Sequence, residues 1–430
     1  MLFSIATSAS AADPVKPTVA PEKMTWRIAE PDKGNGIAKP ANENRSSVIP
    51  ASLDTDIEPD EVLAHDESSH GCNCDACSVA GDTGFEPKAM GATGLWVSAE
   101  YLYWSLEAAN FPVLVSPGTG SGATTLFGGD GDDSYRSGGK ISLGWWDNAS
   151  RTSGFELSYL GLESVGENAT FSSDRFPTLS RPYFDTLNNA EAALLVASPT
   201  FLSGTVSIDA ETDLQAFDIL RRQRVSFSHC HRLDFLYGFR HASLNDDLMI
   251  SQSSTYTAAQ GQIVAGTTKS LFDSFETRNS FNGLQLGLNY QHYAGPMTIG
   301  GIAKLGFGAN RTRVQIDGET TNTVPGDGNA TFDGGLLAQT TNIGVYDDNN
   351  IIVLPEIGVT LTTRINRRTR LVFGYHASYW SNVARAADQI DRQVSQLPPE
   401  PASGTRQPQY RLVTDDFFAH GLQAGLRYEF

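Results

Sequence analysis

Nowhere in its 430 residues does the chain contain the apolar run, roughly 20 residues long, that a membrane-crossing helix requires. The longest oily patch, Ala192–Ala197 extended to Leu202, is broken by Ser198 and Pro199. Helical membrane proteins are thereby excluded. Basic residues are scarce as well: 31 Lys+Arg against 49 Asp+Glu leave a formal charge of −18, which argues against nucleic-acid and polyanion partners. Catalytic signatures are also missing. There is no Gly-x-Ser-x-Gly nucleophile turn, and Gly138-Gly139-Lys140 runs into Ile141 without the spacing of a phosphate loop.

What the chain does have is alternation. From Gly421 onward, Leu422, Ala424, Leu426, Tyr428 and Phe430 share one face, while Gln423, Gly425, Arg427 and Glu429 share the other. A period of two describes a strand with one oily and one polar side. If the oily side meets lipid, earlier strands should obey the same rule. Ten segments do, at about Leu95–Leu106, Ser137–Trp146, Ser153–Glu163, Thr212–Ser228, Arg232–Ser243, Asn279–His292, Met297–Val314, Ile351–Arg364, Thr369–Val383 and Asp415–Phe430. Connections after the odd segments are long and those after the even ones are a few residues. Such regularity suits an up-and-down barrel with tight periplasmic turns and long outer loops. The expected fold is an all-β, transmembrane, antiparallel barrel of ten strands, or twelve if the long loops hide more.

The faces agree in most strands. Leu233/Phe235/Tyr237/Phe239, Leu284/Leu286/Leu288/Tyr290 and Leu371/Phe373/Tyr375/Tyr379 point outward by register. Two strands fit badly: Arg221-Arg222 puts a charge on each face of one, and Trp145-Trp146 obscures the sense of another. The expected inward charges are Glu100, Lys140, Glu156, Asp234, Arg240, Lys304, Glu356, Arg370 and Arg427. These are the candidate lumen residues, with Glu356, Arg370 and Arg240 foremost. Mixed signs across a narrow barrel imply structural ion pairs more than a selective ring. Barrels of about eight strands are filled by side chains and those of 16–18 hold a water channel, so ten predicts a narrow or plugged lumen.

The first twelve residues read as the back half of a secretory signal, with Ala9-Ser-Ala11 fitting the small-x-small rule and no basic residue ahead of it. Residues 13–93 are rich in Pro, Ala, Ser, Asp and Glu without periodicity, which predicts a disordered, acidic periplasmic tether. Within it, His70, Cys72, Cys74 and Cys77 could form a tetrahedral metal site; the alternative is a local disulfide with one thiol left over. No other cofactor is expected. Cys230, between His229 and His231, belongs to the barrel region.

Several blocks resemble the planctomycetal β-barrel porin family. They are Gly94-Leu-Trp-Val-Ser-Ala-Glu100-Tyr-Leu-Tyr-Trp104, Arg232-Leu-Asp-Phe-Leu-Tyr-Gly-Phe-Arg240, Phe275-Glu-Thr-Arg-Asn279-Ser-Phe-Asn-Gly283, and Pro355-Glu356 followed by Gly374-Tyr375 and Trp380-Ser-Asn-Val383. Asp388-Gln-Ile-Asp391 and Gly421-Leu-Gln-Ala-Gly425 complete the set. The resemblance spans Gly94 to Phe430 in the family's order and implies an outer-membrane barrel with a presumed pore. The chain departs from the pattern at Ala384-Arg385-Ala386, where the family places Arg directly after Val and then Pro-Gly.

The leading expectation is a porin for passive, weakly selective diffusion of small solutes. The alternative is a structural or adhesive surface protein whose barrel anchors the outer loops. A rim hydrolase would have to use His241 or His420 with Asp246, Asp247, Asp415 or Asp416. Expected partners are outer-membrane lipid and, through the last strand, the barrel-assembly machinery; self-association stays open.

Overall fold

A computed structural model describes residues 94–119, 124–130, 134–398 and 406–430. The expected signal, the acidic tether and the cysteine cluster His70, Cys72, Cys74 and Cys77 lie outside the described residues.

Twelve strands join one sheet, and ten of them close into a ring. We number these β1 (Leu95–Leu106), β2 (Ser134–Trp146), β3 (Ser153–Leu162), β4 (Leu202–Phe227), β5 (His231–Tyr256), β6 (Thr268–Ala294), β7 (Met297–Val324), β8 (Gly344–Arg364), β9 (Thr369–Val383) and β10 (Asp415–Glu429). Each pairs antiparallel with its chain neighbour, and β10 pairs with β1 from Trp96↔Glu429 to Leu106↔Ala419. Closure leaves no open edge in the ring, the condition for a sheet to cross lipid. The other two strands, Val165–Ser172 and Gly328–Asp333, extend the sheet beside β4 and β7. The ten-stranded, up-and-down reading therefore holds.

Lipid-facing positions are exposed and apolar: Leu284, Leu286, Leu288 and Tyr290 on β6, and Ile351 to Leu361 on β8. That stretch of β8 matches the roughly 9–11 residues a tilted strand spends in hydrocarbon. The two doubtful strands resolve at the short-turn end. Arg221 lies outward, on the Phe155 ring at 4.3 Å and paired with Asp147, while Arg222 lies inward. Trp145 stacks on Phe155 outside and Trp146 turns inside beneath Arg232. The Ser153 hydroxyl and Arg221 hold the Asp147 carboxyl below its ordinary range.

The long connections depart from expectation. β4 to β8 run 26, 26, 27, 28 and 21 residues, far beyond the span of hydrocarbon. Much of what reads as outer loop is strand. The reason is an inversion of face polarity. Along β5, Leu233 to Phe239 are apolar outward, but past Ala242 the outward positions become Asn245, Asp247, Ser251 and Ser253, with Met249 the exception, and Leu244, Leu248 and Ile250 turn inward. A search for apolar-out alternation stops where the strand leaves lipid and becomes an ordinary water-facing sheet.

That projecting half is filled from within. A hairpin of Asn110–Val115 with Phe127–Asp130 and a three-stranded sheet of Leu179–Asp185, Ala190–Ala197 and Gln393–Val394 pack on Val206, Ile208, Ile250, Phe275 and Ile316. One ion pair ties this cap to the wall: Arg181 Nη2 donates to Asp273 at 2.6 Å, both side chains essentially inaccessible. Asp273 also accepts the backbone N–H groups of Leu337 and Ala338 at 2.8 Å.

Leu286→Arg, on the lipid face, is expected to lower the unfolding free energy in vesicles by about 2–4 kcal/mol. Ser253→Arg, on the polar outer face, should change it by less than about 0.5 kcal/mol. Urea titration of vesicle-folded protein measures both, and equal costs would place the hydrocarbon boundary elsewhere.

Candidate functional site in the barrel interior

Inward residues fall into layers, and three strands give the same order from the short-turn end: Arg222, Asp218, Ala216, Leu214 on β4; Asp234, Arg240, Ala242, Leu244 on β5; Thr362, Glu356, Leu354, Ile352 on β8. A polar vestibule comes first, then a buried charge cluster, then an apolar layer.

The charge cluster is a closed quartet. Arg240 pairs with Glu356 and approaches Asp218 at 3.6 Å, while Lys304 Nζ sits 3.1 Å from Glu356 and 3.4 Å from Asp218. Register builds it, since Lys304 is opposite Glu356 and Arg240 is opposite Asp218 on neighbouring strands. Two cations and two anions, each about 4–7 % exposed, leave no net charge. His376 Nδ1 adds a contact with Glu356 at 3.6 Å. A balanced, buried cluster stabilises only as a unit, because removing one member strands the others.

Beyond the quartet comes the apolar layer, to which Leu102, Trp104, Leu214, Leu244, Phe281, Leu354, Trp380 and Phe417 contribute from seven of the strands, every one of them buried. Phe281 meets Trp380 edge-on with centroids 6.4 Å apart. Glycine makes the room: a Cβ at Gly283 would lie 2.6 Å from the Phe281 ring. The connection after β9 is pinned above this layer. Asn279 donates to the Ala384 carbonyl at 2.8 Å and accepts its N–H at 3.0 Å, and Arg385 pairs with Asp246 and donates to the Glu107 carbonyl at 3.2 Å. The departure from the family pattern at Ala384-Arg385-Ala386 thus coincides with an anchored segment.

Below the quartet the lumen opens. A cavity of about 150 Å³ at the short-turn end passes into a second of about 130 Å³, sharing Arg222, Gln291, Thr298, Thr362, Arg370 and Arg427. Here Glu429 is shared by Arg151 at 3.2 Å, Arg370 at 3.4 Å and Arg427 at 3.8 Å. Arg427 stacks on Trp96 at 3.8 Å, and Trp96 finds space because Gly144 opposite it has no side chain. Asp234 takes Arg232 at 2.8 Å and Arg222 at 3.4 Å, and Glu156 takes Arg222 at 3.4 Å.

All nine candidate charges face the interior. Arg240, Lys304 and Glu356 meet in the quartet, whereas Glu100, Lys140, Glu156, Arg370 and Arg427 line the vestibule cavities and Asp234 sits at their mouth. Sequence reasoning left Asp218, Arg222, Arg232, His376 and Glu429 out of that set. Asp218 hides among apolar inward neighbours, but its parity with Arg222 would have found it. The rim dyad is not assembled: His241 Nδ1 contacts Asn282 and His420 Nδ1 contacts the Tyr375 hydroxyl, each at 2.9 Å, while Asp246 is held by Arg385.

A closed antiparallel ring with an apolar exterior and a charged, layered interior defines an outer-membrane β-barrel. The chain belongs to the family described as Putative beta barrel porin-7 (BBP7), whose sequence model matches residues 96–430. Solved structures with a similar fold include the outer-membrane protease OmpT of Escherichia coli, at 8% identity over 80% of this chain and 100% of that one, TM-score 0.39. A Pseudomonas aeruginosa FadL homologue aligns at 8% identity over 78% of this chain and 90% of its own, TM-score 0.21. No curated protein matches the chain.

Glu356→Ala leaves Arg240 and Lys304 sharing Asp218 and is expected to cost about 3–5 kcal/mol. Adding Lys304→Met restores the balance and should recover most of that loss in the same urea titration. Equal destabilisation of the single and double variants would mean the four groups do not act as a unit.

Proposed function

We propose that the barrel is a closed outer-membrane anchor, with its short turns in the periplasm and its capped half presented outside the cell. The apolar layer of Leu102, Leu244, Phe281, Leu354 and Trp380 carries this reading. These side chains belong to the wall strands themselves, so no column of water passes them and no loop movement alone would clear the path. The long strands and the packed cap give the outer half a rigid surface, as a structural or adhesive protein needs. The final strand, exposed on its lipid side through Leu422, Leu426 and Phe430, is the natural handle for barrel assembly.

Membership of a porin family favours a second reading, passive and weakly selective diffusion of small solutes. The open vestibule would be its entrance, and Glu356, Arg370 and Arg240 its lumen residues. Planar-bilayer recording separates the two. Wild-type protein should be silent, and Phe281→Ala combined with Trp380→Ala, which empties the centre of the layer, should produce discrete steps. Steady steps from the wild type would overturn the anchor and establish the pore.

A further inference from the structure

The vestibule carries the opposite charge from the molecule. Seven cationic side chains line its two cavities against four carboxylates, in a chain whose formal charge is −18. Three of the four carboxylates are held close to guanidinium groups, and Glu100 keeps one buried oxygen without a partner. Asp234 and Glu156 are taken by Arg222 and Arg232. Glu100 accepts the Ser98 hydroxyl at 2.8 Å and stands opposite Lys140 in register. Among the described residues, Glu429 is then the one carboxylate within 4 Å of Arg151, Arg370 and Arg427. One carboxylate cannot balance three guanidinium groups in a recess walled by low-dielectric protein, where charge is screened far less than at a surface.

The geometry adds a second sign of an absent partner. The Arg427 Nε is buried without a hydrogen-bond acceptor, its nearest carboxylate is 3.8 Å away, and the guanidinium carbon lies 3.8 Å over the Trp96 ring. Arg370 remains about a third exposed and aims into the same space with a single contact at 3.4 Å. Two forked donors, one pre-oriented by stacking, form the arrangement that clasps a planar or tetrahedral oxyanion through paired charge-assisted bonds.

We infer that the short-turn vestibule is a binding site for a small solute bearing phosphate or carboxylate, clasped between Arg370 and Arg427 and steered in by the local positive field. The site is independent of conduction, because Arg370 and Arg427 line the short-turn cavities and belong neither to the quartet nor to the apolar layer.

Calorimetric titration of detergent-folded, full-length protein with inorganic phosphate and, separately, with citrate tests the inference at fixed ionic strength against sodium chloride. Saturable binding of at least one oxyanion is expected, with Arg370→Gln weakening it about tenfold through loss of a charge-assisted pair. Arg427→Lys keeps the charge but not the fork and should also weaken it, whereas Arg313→Gln, on the outer surface, should bind as wild type. The stronger of the two probes tells a phosphate site from a carboxylate site. No heat with either anion at millimolar concentration would overturn the inference, as would equal binding by Arg370→Gln and wild type, or equal weakening by Arg313→Gln. Far-UV circular dichroism of each variant confirms the fold. Bilayer currents do not enter the readout, so failure here leaves the closed-anchor reading untouched, and wild-type conductance would leave the oxyanion site standing.

Discussion

The pairing of β10 with both β1 and β9 is the constraint on which everything else rests. In hydrocarbon no water is available for an unpaired N–H or C=O, and each one left open costs several kcal/mol. A sheet of these strands can enter lipid only once its last strand meets its first. The register Trp96↔Glu429 to Leu106↔Ala419 accomplishes that, and it simultaneously brings Glu429 and Arg427 beside Trp96 at the mouth. Closure therefore builds the vestibule as well as the wall.

Ten strands enclose a space too small for a water channel without side-chain adjustment and too large for a single packed layer. The chain fills it in two ways. Near the middle of the membrane, Asp218, Arg240, Lys304 and Glu356 satisfy one another, so that charges which would be prohibitive alone become tolerable together. Above them, leucines and aromatics from most of the wall complete an apolar layer, and glycines such as Gly283 yield the volume that Phe281 occupies. Below them, the balance of charge breaks and the space stays open. A barrel packed with side chains in the middle, cationic at one mouth and roofed at the other is the result.

The projecting half obeys a different solvent. Once the strands leave lipid, water lies outside and the cap lies inside, so the same pleat carries Ser, Thr and Asp outward and Leu, Ile and Phe inward. A buried Arg181–Asp273 pair and the Asn279–Ala384 exchange fasten the cap to the wall. The membrane embeds one portion of each long strand, and the cap stabilises the rest.

Strand existence, order and sense within the lipid band were legible in the residues, because a period of two against hydrocarbon writes its apolar set plainly; the bounds of β1 and β9 were readable to the residue. The far ends of β4 to β8 were not, since alternation with a polar exterior looks the same as a soluble loop region until the cap that covers its inner face is known. Facing direction could also be read for Glu356, Arg240 and Lys304, which parity alone decides. Which carboxylate each cation meets could not, because Arg240 and Glu356 are 116 residues apart in the chain and only the closure and stagger of the ring bring them together. Local alternation thus determined which side of the wall each group occupies, while the three-dimensional ring decided its neighbours, its degree of burial and whether any space was left beside it.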